Sequence, residues 1–416
     1  MSIFGAVSNS VNALNAQNTA LAVVSQNLAN SQSTGYKAID VQFSTILDQN
    51  SNDTSAYGVR ANTRNQARGQ GLIVNSNKST DLAIDGKGFF VVNSSVDGTG
   101  STRYTRNGAL QQLPATALGN SDSSSGVVYL TDPSGNFLMG WPAGQTPPGT
   151  TNSPSGLTAL SYDRYSQMQP QATTAIIAQG SVPSTTVGST STSFGLYDTK
   201  GNVQTLGLSL TPSGTINNWT LDFSMNASVG TVTSSSPTLA YDGNGKIIAP
   251  TEPVSVDIQW ADGTSSRVSI DLSQVSLNAK SEEASLKGSL ADGYAGGTFK
   301  SVSIDETGTV YANYTNNRSV AVGTLAVAQF VEPNELAYDS GTLFSATQAA
   351  GPVTIGAVSK FGSQSTLVTN SLENSTVDTT TEFATMITAQ QAYQAASKLW
   401  GTATQMLETA RDLIRN

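Results

Sequence analysis

Cysteine and histidine are both absent from this chain of 416 residues. Without cysteine there can be no disulfide, thiolate metal site or cysteine nucleophile. Without histidine the usual general base and the commonest metal ligand are missing. Ser-His-Asp sites, Cys-His sites and ordinary zinc sites are therefore excluded. We expect a protein that is not an enzyme and that uses no metal or cofactor.

Charge is also scarce, since Asp, Glu, Lys and Arg make up only 12% of the residues, about half the usual share. The net charge of −9 argues against a nucleic-acid partner, which would require a basic face. No run of about 20 apolar residues is present, so we expect no membrane insertion. The first residues, MSIFGAVSNSVNALNAQ, lack a basic start, and we expect no cleaved signal peptide.

Each end of the chain carries apolar residues at heptad spacing, which predicts two long helices. Near the N-terminus the apolar positions of the heptad are Phe4, Val7, Val11, Leu14, Leu21 and Leu28. Near the C-terminus they are Met386, Tyr393, Trp400, Leu407 and Ile414, with a column of alanines three residues after the first four. Thr379 and Glu382 have the spacing of a capping box, which predicts a helix from about Glu382 to Ile414.

The two stripes admit two interpretations. Each helix could dock on the core of its own domain, which is the usual role of an amphipathic helix. Alternatively, the helices could pack on one another and partly between subunits, because the first 36 residues carry no charge and the alanine column permits close approach. We favour the second interpretation and assign the eleven stripe residues to a subunit interface.

Between the helices the sequence is typical of β structure. Residues 31–70 are polar and predict a linker or brace segment. Strand-like segments follow over 71–145, and a Pro/Gly/Ser/Thr-rich boundary near 146 introduces a second strand-rich region over 146–295. A third region covers 296–370.

A repeated Asp-x-x-Gly motif occurs as DPSGNF, DTKGNV, DGNGKI and DETGTV. Asp at the first position and Gly at a position with positive φ predict hairpin turns, and therefore antiparallel strands. Calcium binding is the alternative, but none of the four motifs continues into the carboxylate spacing of an EF-hand loop.

Four ordered segments resemble the bacterial flagellar axial proteins of the rod and hook family. They are NLANSQSTGYKA (27–38), GVRANTRNQARGQGLIVNSNKSTDLAIDGKGFFVV (58–92) with YTRNGAL (104–110), SVSIDETGTVYANYTNN (301–317) with LAVAQFVEPNEL (325–336), and SLENSTVDTTTEFATMITAQQAYQAASKLW (371–400). The segment over 146–295 resembles the extra β domain of hook members, which distal rod members lack. A secreted carbohydrate-binding β protein is a more distant alternative.

The resemblance implies a mainly β chain with terminal helices. Residues 1–30 and 371–416 would form an inner coiled-coil domain, 71–145 with 296–370 an inner antiparallel β domain, and 146–295 an outer one. It implies a homo-oligomer, a curved hollow tube of many copies that acts as a flexible universal joint. Further partners implied are the distal rod, hook cap and hook–filament junction proteins and the flagellar type III export apparatus. The implied location is the flagellum outside the cell.

Overall fold

The structure, a computed structural model, describes residues 3–47, 57–118, 126–145, 147, 149–184, 188–214, 217–278 and 285–415. Two long helices lie near the chain ends, α1 over Ile3–Ala29 and α2 over Thr379–Arg415. Four short 3-10 helices interrupt the strands between them, at Ala115–Leu118, Pro333–Glu335, Val358–Lys360 and Gly362–Gln364. The chain is therefore mainly β with a helix at each end. No helix in the described ranges carries an apolar stretch long enough to cross a membrane.

The start of α2 differs from the predicted capping box. The cap is Asp378, whose carboxylate accepts hydrogen bonds from the backbone N–H groups of Thr380 and Thr381 at 2.9 and 3.4 Å. A carboxylate satisfies the free N–H groups of a first turn and interacts favourably with the helix dipole, so it caps better than the neighbouring Thr379. Glu382 is consequently free to accept a bond from α1.

The chain divides into two compact units. The first unit contains Met1–Arg164, Ser301–Asn313 and Ser319–Asn416, and the second contains Tyr165–Lys300 and Tyr314–Arg318. The boundary lies at Tyr165 rather than near 146, because the strands at Thr158–Ala159 and Ser161–Asp163 pair with strands of the first unit.

The strands are numbered along the chain. Those before the second unit are β1 Ile39–Leu47, β2 Tyr57–Asn65, β3 Ile73–Asn75, β4 Leu82–Gly86, β5 Phe89–Asn93, β6 Thr102–Thr105, β7 Gln111–Pro114, β8 Val127–Thr131, β9 Phe137–Pro142, β10 Thr158–Ala159 and β11 Ser161–Asp163. Those of the second unit are β12 Gln167–Met168, β13 Ala175–Pro183, β14 Thr190–Tyr197, β15 Val203–Pro212, β16 Asn218–Ser224, β17 Gly230–Thr233, β18 Thr238–Tyr241, β19 Ile247–Ala249, β20 Val254–Trp260, β21 Ser265–Asn278 and β22 Ser285–Ala291. The remaining strands are β23 Gly297–Ile304, β24 Thr309–Tyr314, β25 Ser319–Leu325, β26 Val327–Gln329, β27 Ala337–Tyr338, β28 Leu343–Ser345, β29 Thr354–Gly356, β30 Ser365–Thr369 and β31 Ser371–Glu373.

The core of the first unit forms around β5, which pairs antiparallel with β6, β9 and β26. All five residues of β5 are buried, which explains the apolar run FFVV that precedes Asn93. Aromatic rings meet edge to face in this core, with Phe89 5.8 Å from Phe344 and Tyr104 4.8 Å from Phe330 between ring centroids. Since β26 follows the second unit in the chain, this core joins residues from both sides of it.

Strands β13 to β22 of the second unit form two five-stranded sheets that share one core. Their strand orders are β17-β20-β21-β13-β22 and β14-β15-β16-β18-β19. Trp219, Phe194 and Ile258 are among the buried residues of this core. The prediction of purely antiparallel domains is wrong at one point, because β13 pairs parallel with β21. The parallel pairing is possible because the chain crosses over through the other sheet between these strands.

The four Asp-x-x-Gly motifs form turns, as predicted. Their glycines, Gly135, Gly201, Gly245 and Gly308, have φ between 79° and 84°. In the motif at 305–310, the carboxylate of Asp305 accepts bonds from the backbone N–H groups of Thr307 and Thr309 at 2.9 and 2.8 Å. The carboxylates therefore stabilise their own turns. No group of three or more Asp or Glu residues that could hold a metal ion occurs within the described ranges.

The segment over 31–70 contains an antiparallel pair, β1 with β2, in which Ile39 lies opposite Asn65 and Phe43 opposite Ala61. This pair packs on α1. A Cβ atom at Gly58 would lie only 2.4 Å from the side-chain amide of Asn12, so a larger residue at this position would require the Asn12 side chain to move. The brace is therefore built from strands, which its polar composition did not predict.

Candidate assembly surface

The two helices contact each other through small side chains. On α1 the buried face includes Ala16, Ala20, Val23 and Val24, and on α2 it includes Ala389, Ala396 and Ala403. The end of α1 meets the start of α2, where the Asn27 side chain donates to Glu382, so the helices run antiparallel. The alanine column thus faces the partner helix of the same chain.

The contact between the two helices does not fully bury the predicted stripe of large residues. Tyr393 and Trp400 are 36% and 44% exposed, and Val11 is 39% exposed. Val7, Leu14, Leu21, Leu28, Met386 and Leu407 are half-buried. Further large apolar side chains of α2 are exposed beside them, namely Phe383, Ile387, Leu399 and Met406. The helix pair therefore presents a broad apolar surface in the single chain.

Two stripe residues cannot be placed in this way. Phe4 and Ile414 occupy helical positions, but their side chains lie outside the described part of the structure. The other nine stripe residues all belong to the helix pair, and the structure brings the N-terminal and C-terminal sets together on α1 and α2.

Below the helix pair, a buried asparagine joins three segments. The side-chain amide of Asn27 donates to the Ile39 carbonyl and to the Glu382 carboxylate, both at 2.8 Å. Its oxygen accepts bonds from the Ile39 N–H at 3.0 Å and from the Tyr36 hydroxyl at 3.2 Å. Asn27 thus forms four bonds while 1% exposed. Burial raises the pKa of both Tyr36 and Glu382. This amide fixes where the chain leaves α1 and where α2 begins.

Residues 35–39 then run beside residues 373–376 at the other end of the chain. The Gly35 N–H donates to the Glu373 carbonyl at 2.7 Å, and the Thr376 N–H donates to the Tyr36 carbonyl at 3.1 Å. Gly35 has a φ of 69°, and a Cβ atom there would lie 2.5 Å from the backbone nitrogen of Asn107. Only glycine fits this position without strain. The STGYK segment therefore lies where the backbone passes close to two distant parts of the chain.

Three charged side chains are buried at this crossing. Glu373 accepts a bond from Lys37 through one carboxylate oxygen and lies 3.4 Å from Arg106 through the other. The Lys37 and Glu373 side chains are fully buried, and that of Arg106 is 2% exposed. Burial lowers the pKa of Lys37 to about 8, although Glu373 opposes this shift. We call Asn27, residues 35–39, Arg106, Glu373, Thr376 and Glu382 the junction.

The sequence did not single out the junction side chains. Asn27 and Lys37 lie inside the NLANSQSTGYKA segment, and Lys37 is the first charged residue of the chain. The isolated charge of Lys37 is a local signal, but its partner Glu373 lies 336 residues away in the sequence. No spacing rule connects residues at such a separation.

Comparison with known proteins agrees with the segments noted in the sequence. Residues 368–413 match the family described as flagellar basal body rod FlgEFG protein C-terminal. The chain is 29% identical to the flagellar hook protein FlgE of Rhizobium meliloti, with all of both chains covered. It is 27% identical to the FlgE hook protein of Escherichia coli over 98% of this chain and 100% of the relative. A crystal structure of the Helicobacter pylori hook protein FlgE2 matches 68% of this chain and 98% of that chain, with 12% identity and a TM-score of 0.48.

The similarity to hook proteins extends over the whole chain and includes the second unit, which lies between the two halves of the first unit in the sequence. The resemblance seen in the four sequence segments is thereby confirmed, and it concerns a structural family and not an enzyme family. The relatives that the chain matches along its full length are flagellar hook proteins.

Proposed function

We propose that this protein is the structural subunit of a bacterial flagellar hook. Copies of it assemble into a curved hollow tube, which acts as a flexible universal joint and transmits torque from the rod to the filament. The observation that carries this proposal is the full-length similarity to hook proteins. A distal rod subunit would share the ends of the chain, but it would lack the large middle region.

The proposal assigns a nested organisation to the chain. Residues 1–30 and 371–416 form the inner coiled-coil domain, and 31–70 form a brace. With the boundaries moved to those of the two compact units, 71–164 and 301–370 form the inner β domain and 165–300 form the outer one. The antiparallel contact of α1 with α2 supports the inner domain. The shared core around β5 supports an inner β domain that is completed after the insertion.

The subunit interface of the inner domain is assigned to the large stripe residues of both helices. The alanines of α2 pack within the chain, whereas Tyr393 and Trp400 remain partly exposed. Covering such aromatic side chains with other copies gains several kcal/mol for the assembly, at about 25 cal/mol per Å² of apolar surface. A contact that repeats head to tail without closing generates an open helical tube.

The buried junction supports the brace assignment. A universal joint must bend between subunits while each subunit keeps its own shape. Lys37, Glu373 and Arg106 hold the two chain ends together beneath the helix pair, and the four bonds of Asn27 fix the exit from α1. Torque can then pass from the helices to the β domains through buried contacts that water does not weaken.

The further partners and the location follow from membership of the family. We assign the distal rod, hook cap and hook–filament junction proteins as neighbours at the ends of the tube. Export as an unfolded chain through the flagellar type III apparatus would place the protein outside the cell without cleavage of a signal peptide.

The interface assignment is tested with Trp400→Gln in the full chain, measured by sedimentation and electron microscopy under polymerising conditions. We expect the variant to stay folded and to lose tube formation. Lys398→Gln is the matched control, because Lys398 is exposed on the same helix. Deletion of residues 386–416 should also abolish tubes and leave the β domains folded. Normal tube formation by Trp400→Gln would contradict the interface assignment. If the wild-type chain stayed a soluble monomer with affinity for glycans, the hook proposal itself would be wrong.

A further inference from the structure

Within the junction, the buried cluster of Lys37, Arg106 and Glu373 carries an uneven charge. Lys37 and Arg106 contribute two positive charges, and Glu373 is the one carboxylate that pairs with them in the described structure. All three side chains are at most 2% exposed. Backbone carbonyls offset part of the excess, since Lys37 donates to Gly69 and Arg106 donates to Ile84 and Gly86. Carbonyl dipoles reduce the cost of an unbalanced buried charge, but they do not neutralise it.

One donor of this cluster has no partner. The Nε–H of Arg106 makes no hydrogen bond, although the residue is 2% exposed. Its guanidinium lies 5.2 Å from the centre of the Phe89 ring, so an apolar face adjoins the charged group. An unsatisfied donor in such surroundings costs free energy unless an acceptor occupies the adjoining space.

Such a space is present. A cavity of about 40 Å³ is lined by Arg106, Phe89, Gly88, Phe330 and Ala67, together with Val331, Pro333, Lys87 and Arg68. A water needs about 10–15 Å³ of such volume, so the cavity has room for one small ion and is too small for a large organic one.

The charged residues that line the cavity are all cations. Arg68 and Lys87 are exposed at its edge, and Arg106 is buried. Glu332 lies 3.7 Å from Arg68, but both side chains are about half exposed, so water screens this pair. Asp85 acts on Arg106 electrostatically and is itself exposed. Glu373 is already engaged by Lys37 and by the N–H of Gly71.

We propose that this cavity is a binding site for one small inorganic anion of the size of chloride. The anion accepts a hydrogen bond from the free Nε–H group of Arg106 and balances the excess positive charge of the Lys37–Arg106–Glu373 cluster. Lys87 and Arg68 draw it in from solvent. The site is independent of the hook assignment, because it rests on the charges and the cavity of the single chain.

The test uses the full chain and two probes. First, the midpoint of thermal unfolding is measured against chloride at constant ionic strength, with gluconate as the replacement anion. We expect the midpoint to rise with chloride, because a ligand that binds only the folded state stabilises it. In Lys87→Met the chloride concentration that gives half of this rise should increase about tenfold. Lys78→Met, which removes an exposed lysine that does not line the cavity, should respond like the wild type.

Second, crystals soaked in bromide should show an anomalous peak beside Arg106, and that peak should weaken in Lys87→Met. A cavity that holds only water would overturn the proposal. So would a carboxylate from another copy seated there, or a chloride response equal in the wild type and both variants.

Discussion

Lys37 and Glu373 form an ion pair in which both side chains are inaccessible to solvent, although they are separated by 336 positions in the sequence. Lys37 follows the first helix, and Glu373 ends β31, shortly before the second helix. The pair therefore closes the chain at the point where its helical ends meet its β structure. Much of the behaviour of the subunit should depend on this contact.

Replacing Glu373 by Gln should strongly destabilise the first unit. The change leaves Lys37 and Arg106 buried without a counter-charge, and breaking a buried pair from one side costs about 3–5 kcal/mol. Chemical denaturation measures the loss. The matched control is Glu335→Gln, which removes an exposed ion pair with Arg64 at 3.7 Å and should cost less than about 1 kcal/mol. An equal loss of unfolding free energy in the two variants would show that the buried cluster contributes no more to stability than the exposed pair.

Replacing Asn27 by Asp should loosen the exit from α1. The variant loses both donors of the amide and places a carboxylate against Glu382, at a cost of about 2 kcal/mol or more. Hydrogen exchange in residues 35–47 should accelerate, and the thermal midpoint should fall. Asn15→Asp adds the same charge at an exposed position of α1 and should change stability by less than about 0.5 kcal/mol. Unchanged exchange in Asn27→Asp would contradict the role given to this amide.

Replacing Ala396 by Leu should separate the two helices. Ala396 is 6% exposed in the contact with α1, and adding three carbons to a packed interface costs about 1–3 kcal/mol. The neighbouring Ala395 is exposed, so Ala395→Leu is the control and should be close to neutral. Circular dichroism during denaturation reports both variants. If Ala395→Leu lost helix stability and Ala396→Leu did not, the contact with α1 would lie on the opposite face of α2, which would contradict this account.

The second unit should lose stability in acid. A hydrogen bond from Thr264 is the main cause that lowers the pKa of Asp262 to about 2, and Lys200 lies 3.1 Å away. The unfolded carboxyl has a pKa near 4, so between these values the unfolded chain binds more protons than the folded one. The stabilisation is therefore complete above about pH 4 and is lost as the pH falls towards 2. Unfolding curves of Asp262→Asn should depend less on pH over this range, and identical pH profiles would refute the assignment.

The terminal helices and the turns could be predicted because their signals are local. Heptad spacing identified α1 and α2, and Asp-x-x-Gly placed Gly135 and the other turn glycines at positive φ. The polar composition of residues 31–70 predicts a linker, whereas the alternation of residues within it is the signal for the strands β1 and β2. Ile39, Val41 and Phe43 alternate with polar residues, which is the pattern of a strand with one apolar face.

The junction could not be predicted, since its contacts join distant segments. The cap of α2 depended on a competition between Asp378 and Thr379, and the parallel pairing of β13 with β21 depended on the path of an entire sheet. Burial of Lys37 likewise follows from the arrangement of Glu373 and Arg106 around it. These features depend on contacts between residues that are distant in the sequence, so no local sequence pattern predicts them.

Electron microscopy of the purified full chain under polymerising conditions tests the hook assignment most directly. The assignment predicts hollow tubes with visible curvature. Straight, stiff tubes would identify a distal rod subunit, and persistent monomers at concentrations where the helices are folded would contradict self-assembly.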